Sequence, residues 1–231
     1  MKHMLTSALF AGVVAGLLCA LLQYVLVEPK ILLAEKYESR ELVHFQGVAA
    51  ESATTLKVMT LPSDAPVDPW RPYKTVFAVI VTYCGYSLVM IAGFQIATLL
   101  GIKLDAKTGL LWGLAGFMAF HLMPALGLEP ELPGTPSADL DARQIWWAAT
   151  AVCTVIGLWY LAYGTVLWQR AIGVALLAIP HIWGAPELAA FGGVVPPELA
   201  SAFAARSLAV GLITWMTMGG LLVRLWNAEP G

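Results

Sequence analysis

His121 and His181 are the side chains of this sequence best suited to do chemistry, because each lies near the end of a long apolar run and close to a proline. Ionisable groups inside apolar spans are costly and mark a partner, a cavity or a substrate path. Imidazole ligates divalent transition metals, and backbone carbonyls freed by a proline can join carboxylates in completing a shell. Glu129 and Glu131 flank Pro130 a few residues beyond His121, so a carboxylate pair and an imidazole fall at the end of one run. Incomplete coordination of that kind suits fast exchange of a divalent ion. A second set, Glu35, Glu38, Glu41 and His44, has spacings of three, which makes neighbours of successive members on a helix but spreads them around the cylinder. Its best pair for a weak site is Glu41 with His44. Plainer readings stand beside these: a histidine bonded to a carbonyl as an interfacial anchor, a polar turn at Glu129–Glu131, and a solvated helix face interleaved with Lys36 and Arg40.

Other chemistry is excluded by what the sequence lacks. There is no HxxxH or HExxH pair, so spacing does not point to a closed, high-affinity metal site. There is no GxxxxGK[ST] loop, GxSxG elbow or CxxCH haem attachment, so the chain reads as no enzyme and as holding no tightly bound cofactor. Cys19, Cys84 and Cys153 each fall inside an apolar run without a CxxC pair and read as packing. A net charge of −2 with no basic patch speaks against nucleic acid.

The elements that must carry these residues are set by composition. Hydrophobic residues make up 59% of the 231 and charged ones 12%, with a mean hydropathy of +0.74, which predicts an all-α, polytopic integral membrane helical bundle with lipid around it. Six apolar runs qualify as spans: Met4 to Val27, Val76 to Leu100, Gly109 to Leu128, Ile145 to Trp168, Ala171 to Trp183 and Ala200 to Val223. The fifth is short, so the sequence predicts five or six spanning helices with a short broken helix near 171–183, ended by Pro180, Gly184 and Pro186. The opening run is longer than a signal-peptide core and reads as a retained span. Gly12 with Gly16, and Gly109 with Gly113, make small-xxx-small faces, while Trp70, Trp146, Trp147, Trp168, Trp183 and Trp226 read as interfacial belts.

Residues 1–231 read as a single membrane domain with an extramembrane loop at 28–75 between the first two spans. The first helix is expected to continue past Pro29, and Ser137 or Asp139 to cap the fourth span. Arg206, early in the last span, is expected to snorkel or to pair with Glu187 or Glu198. Lys2, Lys103, Lys107, Arg170 and Arg224 favour a cytoplasmic N-terminus, which puts all acids except Asp105 and Glu229 outside, along with His44, His121 and His181. An echo between HLMPALGLEPELPG and PHIWGAPELAAFGG hints at matched helix ends, as in repeat-built transporters.

Several stretches together resemble the CbtA family of proposed cobalt-transporter subunits: AGVVAGLLCALLQYVLVEPKILLAEKYE, Trp70-Arg71-Pro72, HLMPALGLEPELPG, DLDARQIWW and PHIWGAPE. The resemblance implies a multi-pass protein of the bacterial cytoplasmic membrane that imports cobalt for cobalamin synthesis beside a small histidine-bearing membrane partner of the CbtB type. It carries over onto His121, Pro124, Gly127, Pro130, Glu131, Leu132, Pro133 and Gly134, then Asp139, Arg143, Gln144 and Trp147, then Pro180 and His181. His44 is the one histidine of the first loop, where the resemblance implies a dense cluster. Two rival readings are a membrane haem or redox protein using His121 and His181, and an accessory membrane scaffold.

Overall fold

The structure, a computed structural model, describes residues 2–44, 69–188 and 192–228. Its helices are α1 (Lys2–Leu26), α2 (Glu28–Glu38), α3 (Arg71–Leu99), α4 (Ala106–Phe117), α5 (Leu140–Tyr163), α6 (Leu167–Trp183) and α7 (Pro197–Asn227). A π-helical turn, Met118–Leu122, and a last α turn, Met123–Ala125, extend α4. The described residues contain no strand. Five helices, α1, α3, extended α4, α5 and α7, are long and apolar enough to cross a membrane. The chain is a multi-pass helical protein of the cell membrane. α6 has 17 residues, which at about 1.5 Å each reach ~25 Å, close to the thickness of the hydrocarbon.

Local chemistry sets the helix ends. Asp105 caps α4, its carboxylate accepting from the Thr108 N–H and hydroxyl, both at 2.7 Å. Asp139 caps α5 by accepting from Ala142 N–H at 3.0 Å. Pro29 and Pro72 sit in the first turns of α2 and α3, where a missing N–H costs nothing. That is why the chain stays helical past Pro29, with Val27 as the joint, and why α3 begins at Arg71, earlier than Val76. Residues 45–68 of the first loop lie outside the described residues.

Three expectations are corrected. The run from Ile145 to Trp168 is not one helix: it contains a turn at residues 164–166, opened by Gly164 and held by the Gln169 side chain, which accepts from Thr165 N–H at 2.8 Å. Apolar composition runs through that turn unchanged and hides it. Consequently α6 starts at Leu167 and continues unbroken through Pro180 until Gly184, whose φ of 90° stops it. Trp146 is no belt residue: it is buried, with its indole N–H donating to Pro180 O at 3.1 Å. Of the two readings of Arg206, the ion pair with Glu187 or Glu198 does not form among the described residues; the side chain is exposed and its guanidinium donates to Leu26 O at 3.1 Å.

Glycine lets the helices meet. In lipid, association rests on close packing, so small residues mark the contacts. A Cβ on Gly16 would lie 2.6 Å from Ile80 Cα, which fixes α1 against α3. One on Gly113 would lie 2.5 Å from Trp215 O, so α4 crosses α7 backbone to backbone. α7 also packs on α1, giving a body of α1, α3, α4 and α7 with Phe94, Trp215, Met218 and Leu222 buried in it. α5 and α6 form a hairpin in which Gly157 and Gly173 face each other's carbonyls. That hairpin meets the body chiefly at the π turn and last turn of α4.

Candidate functional site

The π turn is a consequence of Pro124. Proline has no N–H to give Phe120 O and its ring would clash with that carbonyl, so the helix widens one turn earlier and Met123 N–H bonds Met118 O. His121 lies in that widened turn. Its ring stacks on Phe117 with centroids 6.0 Å apart and meets Trp215 at 6.2 Å and Tyr86 at 6.4 Å edge-on. Gly211 of α7 faces the ring, and a Cβ there would meet the imidazole Nδ1 at 3.5 Å, an ordinary contact. Nε2 of His121 is buried and has no hydrogen-bond partner among the described residues. Such an atom carries the full cost of desolvation unless something else satisfies it.

His181 sits one residue beyond Pro180 on α6, its ring edge-on to Trp146 with centroids 5.8 Å apart. Its Nε2 is likewise buried and unpartnered. Pro180 O accepts from Trp146 Nε1 and from Gly184 N–H, so α6 is pinned to α5 beside the histidine.

Glu131 is brought to Arg143, whose Nη2 donates to its carboxylate at 2.8 Å. Partial burial holds the Glu131 carboxyl above its ordinary range, Arg143 draws it back, and Glu129 pushes it up. Glu129 itself is exposed. Glu35 pairs with Arg71 at the start of α3, while Glu38 lies against Gly134. His44 stands at the end of the described part of the first loop. Among the described residues, no three His, Cys, Asp or Glu side chains gather where they could hold one metal ion. What the arrangement offers is two imidazoles, each with a buried nitrogen that no described residue satisfies.

Sequence reasoning missed the partners of His121. Trp215 is 2% exposed with its own Nε1 unpaired, and the Cys19 thiol, Tyr83 hydroxyl and Thr214 hydroxyl neighbour one another deep between α1, α3 and α7. The available signal was a tryptophan and a threonine far from either end of the last span.

These residues connect a known pattern. The family model described as "Probable cobalt transporter subunit (CbtA)" matches residues 1–227. The chain belongs to the CbtA family. No curated protein and no solved structure matches it. The family's description is of a probable transporter subunit. Three of the stretches that carried the CbtA resemblance, HLMPALGLEPELPG, DLDARQIWW and PHIWGAPE, meet at one end of the bundle: Gly127 admits Trp146 and Ala185, Leu132 is buried, Glu131 binds Arg143, and Trp147 meets Phe120 with centroids 6.1 Å apart.

Proposed function

We propose that this chain is the membrane subunit that passes cobalt inward across the cytoplasmic membrane to supply cobalamin synthesis. The observation that carries the reading is the buried, unpartnered imidazole of His121 in a π turn of a spanning helix, in a chain of the CbtA family. π turns inside α-helices are frequently functional, and a buried histidine nitrogen without a partner suits a transient ligand. His181, with its own open nitrogen, serves at the same outer end, with Glu131, Glu129 and His44 as collectors in front of them. Single imidazoles hold a borderline ion weakly, which favours release over storage. Ligands missing from this chain come from a small histidine-bearing membrane partner of the CbtB type.

The test is cobalt accumulation from medium limiting in cobalt, in cells with and without this chain and its partner. Uptake that depends on the chain and falls when His121 is replaced supports the reading. Equal accumulation with and without it overturns the reading.

A further inference from the structure

A groove of about 1010 Å³ runs between α3 and α5 with α4 as its floor, and neither His121 nor His181 lines it. Its walls are apolar and aromatic: Val89 and Ile96 on α3, Trp112 and Phe120 on α4, Val155 and Trp159 on α5. At one end are Lys103 and Thr108. That end gathers basic residues in sequence, Lys103 and Lys107 before and within α4, Arg170 on α6 and Arg224 on α7, against one carboxylate among the described residues, Asp105, which is turned onto the α4 N-terminus. At the other end the Phe120–Trp147 ring contact bridges α4 and α5. From Thr108 to Phe120 the floor spans about 18 Å at 1.5 Å per residue, close to the ~15 Å hydrocarbon depth of one leaflet.

We propose that this groove holds an anionic glycerophospholipid as a resident ligand, its acyl chains along Trp112 and Trp159 and its phosphate at Lys103. Depth and charge both favour it over a partner helix. A spanning helix needs the whole bilayer thickness, whereas the groove is one leaflet deep and bridged at its far end. A cationic mouth draws an acidic headgroup, and lysines near a membrane surface do so measurably. The Trp112 Nε1–Tyr163 hydroxyl hydrogen bond, 3.1 Å long, joins α4 to α5 beneath the chains and keeps the hairpin from collapsing onto α3. The ligand is independent of the transported ion.

The test is the phospholipid retained after the full chain is purified in detergent and washed through lipid-free micelles, measured by phosphate content and mass spectrometry. Wild type should keep an acidic glycerophospholipid in a one-to-one ratio. Lys103→Glu should lose more than half of it, and so should Ala162→Phe, which fills the groove from an exposed position on α5. Ala92→Phe does the same from the α3 wall and serves if the first variant loses its helical circular dichroism. Three results would overturn the proposal: no retained phospholipid in wild type, equal retention in all variants, or loss on filling but not on charge reversal. Cross-linking of a partner helix or a second copy at Ala162→Cys, with no lipid retained, would overturn it as well.

Discussion

The indole N–H of Trp146 donates to the carbonyl of Pro180, the residue just before His181, and the same indole packs edge-on against the His181 ring. One side chain of α5 therefore fixes both the backbone and the ring of the α6 histidine. Trp146→Phe should keep the packing and lose the bond, at a cost of about 1 kcal/mol because Gly184 still donates to Pro180 O. Trp146→Ala should cost about 3–5 kcal/mol through the cavity it leaves. Thermal unfolding in detergent gives the ranking, and equal midpoints for wild type and both variants would refute the anchoring.

Cobalt handling separates the two kinds of histidine. His121→Ala with His181→Ala should lower cobalt accumulation several-fold, while Glu41→Ala and His44→Ala should lower it less, because only the first pair presents buried open nitrogens. Protein abundance in the membrane must be measured beside uptake. Unchanged uptake at normal abundance removes these two residues from the path and leaves the fold intact.

The Glu131–Arg143 pair should show a particular response to pH. Glu131 holds its proton more readily in the folded chain than an ordinary carboxyl, so its contribution to stability grows as pH falls through its raised value. Removing the cation in Arg143→Met strengthens that tendency: the variant should be less stable than wild type near neutrality and should recover ground on acidification. Glu131→Gln should flatten the pH dependence. Melting curves of the three proteins between about pH 8 and pH 4 bracket the ordinary carboxylate range and would show it. Parallel curves would mean that the pair does not control the carboxyl.

Gly173→Val should separate the α5–α6 hairpin, since even a Cβ there would stand 2.8 Å from Gly157 O. Overpacking of this kind costs about 1–3 kcal/mol, and more where backbone cannot retreat. Thermal unfolding should show the loss, and the same substitution at Gly192, which has open space, should be mild.

Sidedness is open to a direct check. With the N-terminus inside, a cysteine at Ser137, which is exposed between α4 and α5, should react with an impermeant thiol reagent on cells whose outer surface is accessible. A cysteine at Lys107 should react only after lysis. The reverse pattern inverts the orientation drawn from lysine and arginine placement.

The bundle was legible because hydropathy alone separates spans from connections, and the cap of α5 was legible down to two candidates, Ser137 and Asp139, of which the structure uses Asp139. The Gly12, Gly16, Gly109 and Gly113 faces were legible for the same reason: small residues spaced by four mark a close crossing. The turn at Gly164 was not, since Val166 and Leu167 continue the apolar run without a charge. His121 could be singled out as an ionisable group in a span, but its surroundings could not, because Gly211 and Trp215 lie 90 and more residues away in sequence. Glu131 was read near His121 from proximity along the chain, and its ion pair with Arg143 on the next helix could not be read there. Arg206 escaped because its acceptor is a backbone oxygen, Leu26 O, which no sequence pattern displays.

α7 lies against both α1 and α4, and this sets an order of assembly during synthesis. Helix pairs made from neighbours in sequence, such as α5 with α6, can close as soon as both have left the ribosome. α4 must wait, its glycine face turned to lipid, until a partner more than eighty residues downstream has been inserted. A chain cut before Pro197 would therefore reach the membrane as a loose set of correctly threaded helices, recognisable to quality-control proteases by the unfilled seam along Gly109 and Gly113.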